Sequence, residues 1–364
     1  MRRSNRTILF ALLYVVMCAK QQITTTIHNS LGTLRSSPSV LQDGSCPVKR
    51  QKLLKVSMLL ALTLQTTAQA LCTKYSYRTS AAPYSPYTVI VCAECMKLIC
   101  SSVLILSTSG STQLLNALRN IRSCIVTLMC PSFLYVIQNN LVLESVRLLT
   151  PTVYMACSQS KILTSALFGR LLLKTRVTRT QILALVLLVC GMFLVQLERD
   201  KSMTIGHPPL SAISPRGLVY VFTAACMSGF SGAYLEKIFK KSGTECKEHN
   251  IWCTNLRLSC ISIPTAFFAA IFCDSGSISS QGFFYGYDGV VIAIVILQGL
   301  GGIFVAAVMR HASNVLKCFS VSWSICNCAL AAPYLFEGHR SLTSCQVAGI
   351  IFVIGATFMY MKRI

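Results

Sequence analysis

Apolar runs of about twenty residues recur along this chain and limit its fold more than any other feature, because a helix needs roughly 20 such residues to cross a hydrocarbon core of about 30 Å. Ten runs can be read, at 53–72, 87–106, 124–142, 150–173, 181–197, 217–236, 254–273, 287–309, 315–336 and 344–361. They are continuously apolar, as in GLVYVFTAACMSGF and SCQVAGIIFVIGATFMYM, whereas barrel strands alternate over about ten residues. The expected fold is therefore an all-α membrane protein. Composition agrees: 53% of the 364 residues are hydrophobic and 12% charged, against about one quarter charged in soluble domains.

The formal charge of +22 does not point to nucleic acid, because the basic residues sit between apolar runs rather than on one soluble face. Topology accounts for most of it. With both termini in the cytosol, that side gathers the basic N-terminal segment, Arg119 and Arg122. It also takes Arg170, Lys174, Arg176 and Arg179, then Lys237, Lys240, Lys241 and Lys247, and finally Lys362 and Arg363. The opposite side holds fewer: Lys74, Arg78, Arg147, Arg199, Lys201, Arg216 and Arg340. Cationic loops favour the cytosolic face. Residues 1–52 form an N-terminal extension, either targeting or poorly ordered, whose MRRSNRTILFALLYVVMCAK pairs a basic start with a short apolar run. The sequon Asn5-Arg6-Thr7 lies within it. Residues 53–364 form the membrane domain.

Nineteen cysteines read as small packing residues, since many fall inside the runs. The CAEC pair, Cys92 and Cys95, lacks the two further ligands that a zinc site needs. No metal, cofactor or catalytic residue is expected. A membrane-embedded enzyme would need carboxylate pairs or histidines at depth, and the five histidines fall in loops or at helix ends.

Charge at membrane depth is costly and needs a partner or a purpose. Glu94 and Lys97 stand three apart on one helix face and can neutralise each other, either as a structural ion pair or as part of a gate. Glu236 and Lys237, in GAYLEKIFKK, read as a solvated helix end, again structural or gating. Lys161 differs. Its run contains no acid, and the nearest in sequence is Glu144, which points to an anionic ligand such as a phosphate. Around it, Gln138, Asn139, Asn140, Gln159 and Asn255 offer donors and acceptors suited either to a nucleobase and sugar or to interhelical hydrogen bonds. Tyr135 and Tyr154 could stack on a base or simply pack.

QNNL at 138–141 followed by QSKILTSALF at 159–168 resembles the nucleotide-sugar transporters of the drug/metabolite transporter superfamily. The similar branch carries UDP-galactose, UDP-N-acetylglucosamine and CMP-sialic acid. AECMK (93–97), GFSGAYLEKIFK (229–240), TNLR (254–257), GFFYGY (282–287) and QGLGGIFVAAVMRHASNVLKCFS (298–320) agree in order. The resemblance implies ten transmembrane helices in two inverted five-helix repeats around a central cavity. It implies that a cytosolic UDP-sugar is exchanged for lumenal UMP across the Golgi membrane, or alternatively the endoplasmic reticulum membrane. The partners implied are the nucleotide sugar, the nucleoside monophosphate and membrane lipid, with homo-oligomer or glycosyltransferase association left open. Carried over residue by residue, Tyr135 and Asn139 are base or ribose contacts, with Gln138 beside them. Tyr154 is a stacking aromatic, Asn255 a binding amide, and Lys161 and Lys317 phosphate contacts. Met155, Ser158, Arg257, Ser313 and Cys318 depart from the family's glutamine, tyrosine, glutamine, aspartate and glycine. These departures keep a CMP-sialic acid/CMP antiporter and a non-transporting scaffold open as alternatives.

Overall fold

The computed structural model describes residues 46–79, 84–197, 214–241, 251–336 and 342–362. The N-terminal extension up to residue 45, with its sequon, lies outside these residues, as do the connections 198–213 and 242–250. Twelve helices and no strand are found among the described residues. They are α1 (Cys46–Thr79), α2 (Pro86–Ser109), α3 (Ser111–Arg119), α4 (Ile121–Leu148), α5 (Pro151–Ser158) and α6 (Ser160–Leu173), then α7 (Arg179–Leu197), α8 (Pro215–Lys241), α9 (Ile251–Gln281), α10 (Gly289–His311), α11 (Asn314–Phe336) and α12 (Ser344–Met361).

Eight helices, α1, α2, α4, α7, α8, α9, α10 and α12, are long and apolar enough to cross a membrane. The chain is thus a multi-pass membrane protein. Two of the ten expected runs fall outside these eight. The run at 150–173 is divided at Gln159 into α5 and α6, while 315–336 is the single 23-residue helix α11. The sequence also hides α3. Gly110 adopts φ 83°, which few residues other than glycine tolerate, so α2 stops there and a short helix starts afresh.

The helices sort into two compact units, each drawing on both halves of the sequence. Unit 1 comprises residues up to Cys124 and Ser242–Ala312. In it α1 runs antiparallel to α10: Met58 and Leu62 pack on Phe304, Ala307 and Val308, while Cys72 packs near Val291 and Val295. A third cluster, Ile105, Ala117, Cys253 and Leu256, joins α2, α3 and α9. Polar ties cross these faces. Gln65 Nε2 donates to the Leu297 carbonyl at 2.8 Å, and Tyr287 Oη to Thr88 Oγ1 at 3.1 Å. In lipid such bonds matter because no water competes for the groups.

Unit 2 comprises Ile125–Lys241 and Ser313–Ile364. Its tightest crossing is α7 on α12. A Cβ on Gly191 would sit 2.9 Å from the Gly349 carbonyl oxygen, and one on Gly349 2.7 Å from the Gly191 oxygen, so the two backbones touch only because both residues lack side chains. Close approach through small residues is how membrane helices gain contact when lipid is as apolar as they are. The outer faces carry exposed apolar side chains such as Leu183, Val219 and Phe358, suited to acyl chains.

Candidate functional site

Lys161 is the second residue of α6, two residues past the division at Gln159. At that division the backbone tightens: Gln159 N–H donates to the Ala156 carbonyl at 3.2 Å, and Ile162 N–H to the Gln159 carbonyl at 3.0 Å. Both are i to i−3 bonds of the narrower 3₁₀ kind. Gln159 is itself buried, its amide turned toward Gln196 of α7. The next turn of α6 is fixed against α8. Thr164 Oγ1 donates to the Ala225 carbonyl at 2.8 Å, and a Cβ on Gly229 would come within 2.8 Å of the Thr164–Ser165 backbone. Phe168 meets Phe230 edge-on, with centroids 5.5 Å apart. The half-buried Lys161 therefore projects from a rigid base, next to the buried Ser160 hydroxyl, which has no hydrogen-bond partner.

Lys317 sits in the first turn of α11. Ser313 Oγ accepts from Leu316 N–H at 3.3 Å, as a helix-capping hydroxyl does, and Asn314 N–H donates to Glu236 Oε2 at 2.8 Å. The following residue brings α11 onto α6: Cys318 Sγ donates to Ser165 Oγ at 3.7 Å. Ser165 lies one turn beyond Lys161, so the contact draws the two lysines into one region. Among the described residues neither lysine forms an ion pair; Glu236, which holds the start of the Lys317 helix, is paired with Lys240. Two like charges held at neighbouring helix starts can bind a group carrying two negative charges, as a diphosphate does.

The remaining expected residues divide. Tyr154, on α5 in the same unit, is half-buried. Tyr135 is exposed and Gln138 half-buried on α4, the spanning helix with the smallest buried share, and the Asn139 side chain lies outside the described residues. Asn255 belongs to unit 1, buried, where its Nδ2 donates to Ser101 Oγ at 3.0 Å. That is the interhelical reading of the amide. Glu94 and Lys97 form the i, i+3 ion pair in unit 1, with Lys97 buried. Lys237 is exposed, as a solvated helix end requires. For Glu236 that reading is corrected: it is 2% exposed, because its true neighbour is the start of α11, 78 residues away in sequence. Sequence alone does not single out two polar groups, Ser160 and Asn314, whose side-chain polar atoms are buried and have no hydrogen-bond partner among the described residues. Nothing local marks either as buried. Arg257 is also buried, its Nε donating to the Ala117 carbonyl at the end of α3 at 3.0 Å.

The profile of the family described as nucleotide-sugar transporter matches residues 50–361. The UDP-N-acetylglucosamine/UDP-N-acetylgalactosamine transporter nstp-4 of Caenorhabditis elegans is 34% identical over 84% of this chain and 93% of its own length. The UDP-galactose/UDP-N-acetylglucosamine transporter srf-3 of the same organism is 31% identical over 85% of this chain and 83% of its own. The human UDP-N-acetylglucosamine transporter is 34% identical over 84% and 95%. Among solved structures, a crystal structure superposes with a TM-score of 0.62 at 13% identity, covering 86% of this chain and 98% of that one; this likeness concerns the fold alone.

Proposed function

The chain belongs to the nucleotide-sugar transporter family, and from that premise we propose that it carries a UDP-sugar, UDP-N-acetylglucosamine or UDP-galactose, across a Golgi membrane in exchange for UMP. The observation that carries the reading is the pair Lys161 and Lys317, gathered in unit 2 without an ion-pair partner among the described residues. An anion neutralises them only while bound, which suits a carrier that must release its cargo.

The diphosphate of the incoming UDP-sugar and the single phosphate of outgoing UMP would share these lysines. Ser160 and Asn314 supply buried polar groups nearby that have yet to be satisfied. Tyr154, Tyr135, Gln138 and Asn139 are proposed for the uridine end. The membrane domain would hold ten spans in two inverted repeats, α5 with α6 making the fourth and α11 the ninth. Binding sites at helices interrupted in mid-membrane are a recurring transporter device. The matching relatives are named as transporters, which supports a carrier rather than an enzyme.

The base is tested by thermal shift. A ligand that binds only the folded state stabilises it by RT ln(1 + [L]/Kd). UMP and UDP-sugars should raise the melting temperature of the purified protein more than CMP or GMP at equal concentration. A larger shift with CMP would replace the uridine carrier with a CMP-sialic acid/CMP antiporter, and no shift with any nucleotide would favour the non-transporting scaffold.

A further inference from the structure

We propose that Glu236 is a positioning residue for Lys317, and that Lys240 holds its negative charge away from the two site lysines; this rests on the phosphate role proposed for Lys161 and Lys317. Both carboxylate oxygens of the buried Glu236 are engaged. Oε2 accepts the Asn314 N–H at 2.8 Å, and Oε1 pairs with Lys240 at 2.5 Å. The first bond fixes the opening residue of α11, and Lys317 follows three residues later in the same turn. An anion at a helix start also complements the exposed N–H groups there.

The chain passes between the two units after Lys241 and after Ala312. Glu236 lies five residues before the first of these passages and its bonded neighbour Asn314 two residues after the second. One carboxylate thus ties together the unit 2 ends of two connections. The Asn314 side-chain amide has no hydrogen-bond partner of its own, which leaves its main-chain N–H as the group that Glu236 grips.

The second half of the proposal is electrostatic. Glu236 holds the N–H of Asn314 in the turn that carries Lys317, so its charge sits at the same helix start. With Lys240 in place, Oε1 is satisfied on the half-exposed side of α8, and the two site lysines are left open to a phosphate. Without Lys240, a buried oxygen loses its counter-charge, which is unfavourable unless another cation takes its place. Lys317 belongs to the turn whose first residue Glu236 holds, and a lysine claimed by Glu236 is lost to the ligand. Lys240 therefore governs phosphate affinity without touching the ligand.

The test is equilibrium binding of UMP and of uridine to the purified full chain, read as the ratio of their affinities. A packing defect weakens both ligands, whereas competition for Lys317 weakens only the one with a phosphate. Wild type should prefer UMP. Equal binding would overturn the phosphate role of the lysines, and this inference with it. Given that preference, Lys240→Met should lower the ratio about tenfold or more, the scale of disturbing one close charge pair. Glu236→Gln keeps an amide oxygen for Asn314 N–H and has no charge, so its ratio should equal or exceed that of wild type. The double variant should recover what Lys240→Met lost. An unchanged ratio in Lys240→Met, or a tenfold fall in Glu236→Gln, overturns the proposal. If Lys240→Met binds neither ligand because it does not fold, Glu236→Ala decides: it removes the oxygen that holds Asn314 N–H and should lower the ratio, and an unchanged ratio overturns the positioning role.

Discussion

Among the described residues Lys161 and Lys317 have no ion-pair partner, and a charge at membrane depth costs several kcal/mol unless something offsets it. This cost gives the site a signature. Lys161→Gln and Lys317→Gln should each weaken UMP binding at least about tenfold, the loss of one charge-assisted contact. Uridine binding should change little, and the melting temperature of the empty protein should hold or rise, because an uncompensated charge has gone. Nucleotide binding and thermal melting of the same preparations check both halves. A fall in stability together with intact UMP binding would mean that the lysines belong to the packing. Asn255→Ala predicts the opposite pattern. Its bond to Ser101 is buried, so the variant should lose about 1 kcal/mol of stability, the scale of one interhelical hydrogen bond, with the UMP-to-uridine ratio unchanged; denaturation and the same binding assay decide. Lys161 could be singled out from sequence because its run contains no acid. Glu236 could not, since a helix end rich in lysine reads as solvated until the distant Asn314 is seen to cover it.

At the scale of elements, apolar length marked out nearly every helix, because twenty hydrophobic residues in a row have few alternatives in lipid. The division at Gln159 had no such signal: Ser158, Gln159 and Ser160 include neither proline nor glycine, and only the tightened main-chain bonds reveal it. Conversely, Pro131 in α4 and Pro264 in α9 look like breaks yet do not interrupt the helix where they stand, whereas α9 is kinked at Asp274. The crossing of α7 and α12 offers a direct test of packing. Gly191→Ala places a methyl 2.9 Å from the Gly349 oxygen and from the Phe352 Cβ. The helices must separate, which should cost about 1–3 kcal/mol, the usual penalty of overpacking. A melting temperature equal to that of wild type would contradict the contact. Neither glycine stands out in its apolar run, and their pairing depends on which helices meet.

For the whole molecule, charge asymmetry implies the topology, but the sorting of helices into two units that interleave the sequence is beyond any local pattern. In sealed vesicles, cysteines engineered at Arg176 and Lys237 in a background cleared of reactive thiols should be labelled from the cytosolic side, and one at Lys201 only from the lumen. The reverse labelling would invert the direction of transport. A carrier with two uncompensated lysines should reorient reluctantly when empty and readily when a phosphate neutralises them, so transport should be an exchange. The most direct measurement is uptake of labelled UDP-N-acetylglucosamine or UDP-galactose into liposomes holding the purified protein, preloaded with UMP or left empty. The expected result is rapid uptake that depends on internal UMP and is nearly abolished in Lys161→Gln and in Lys317→Gln. Equal initial rates with and without UMP, or normal uptake by either lysine variant, would contradict it.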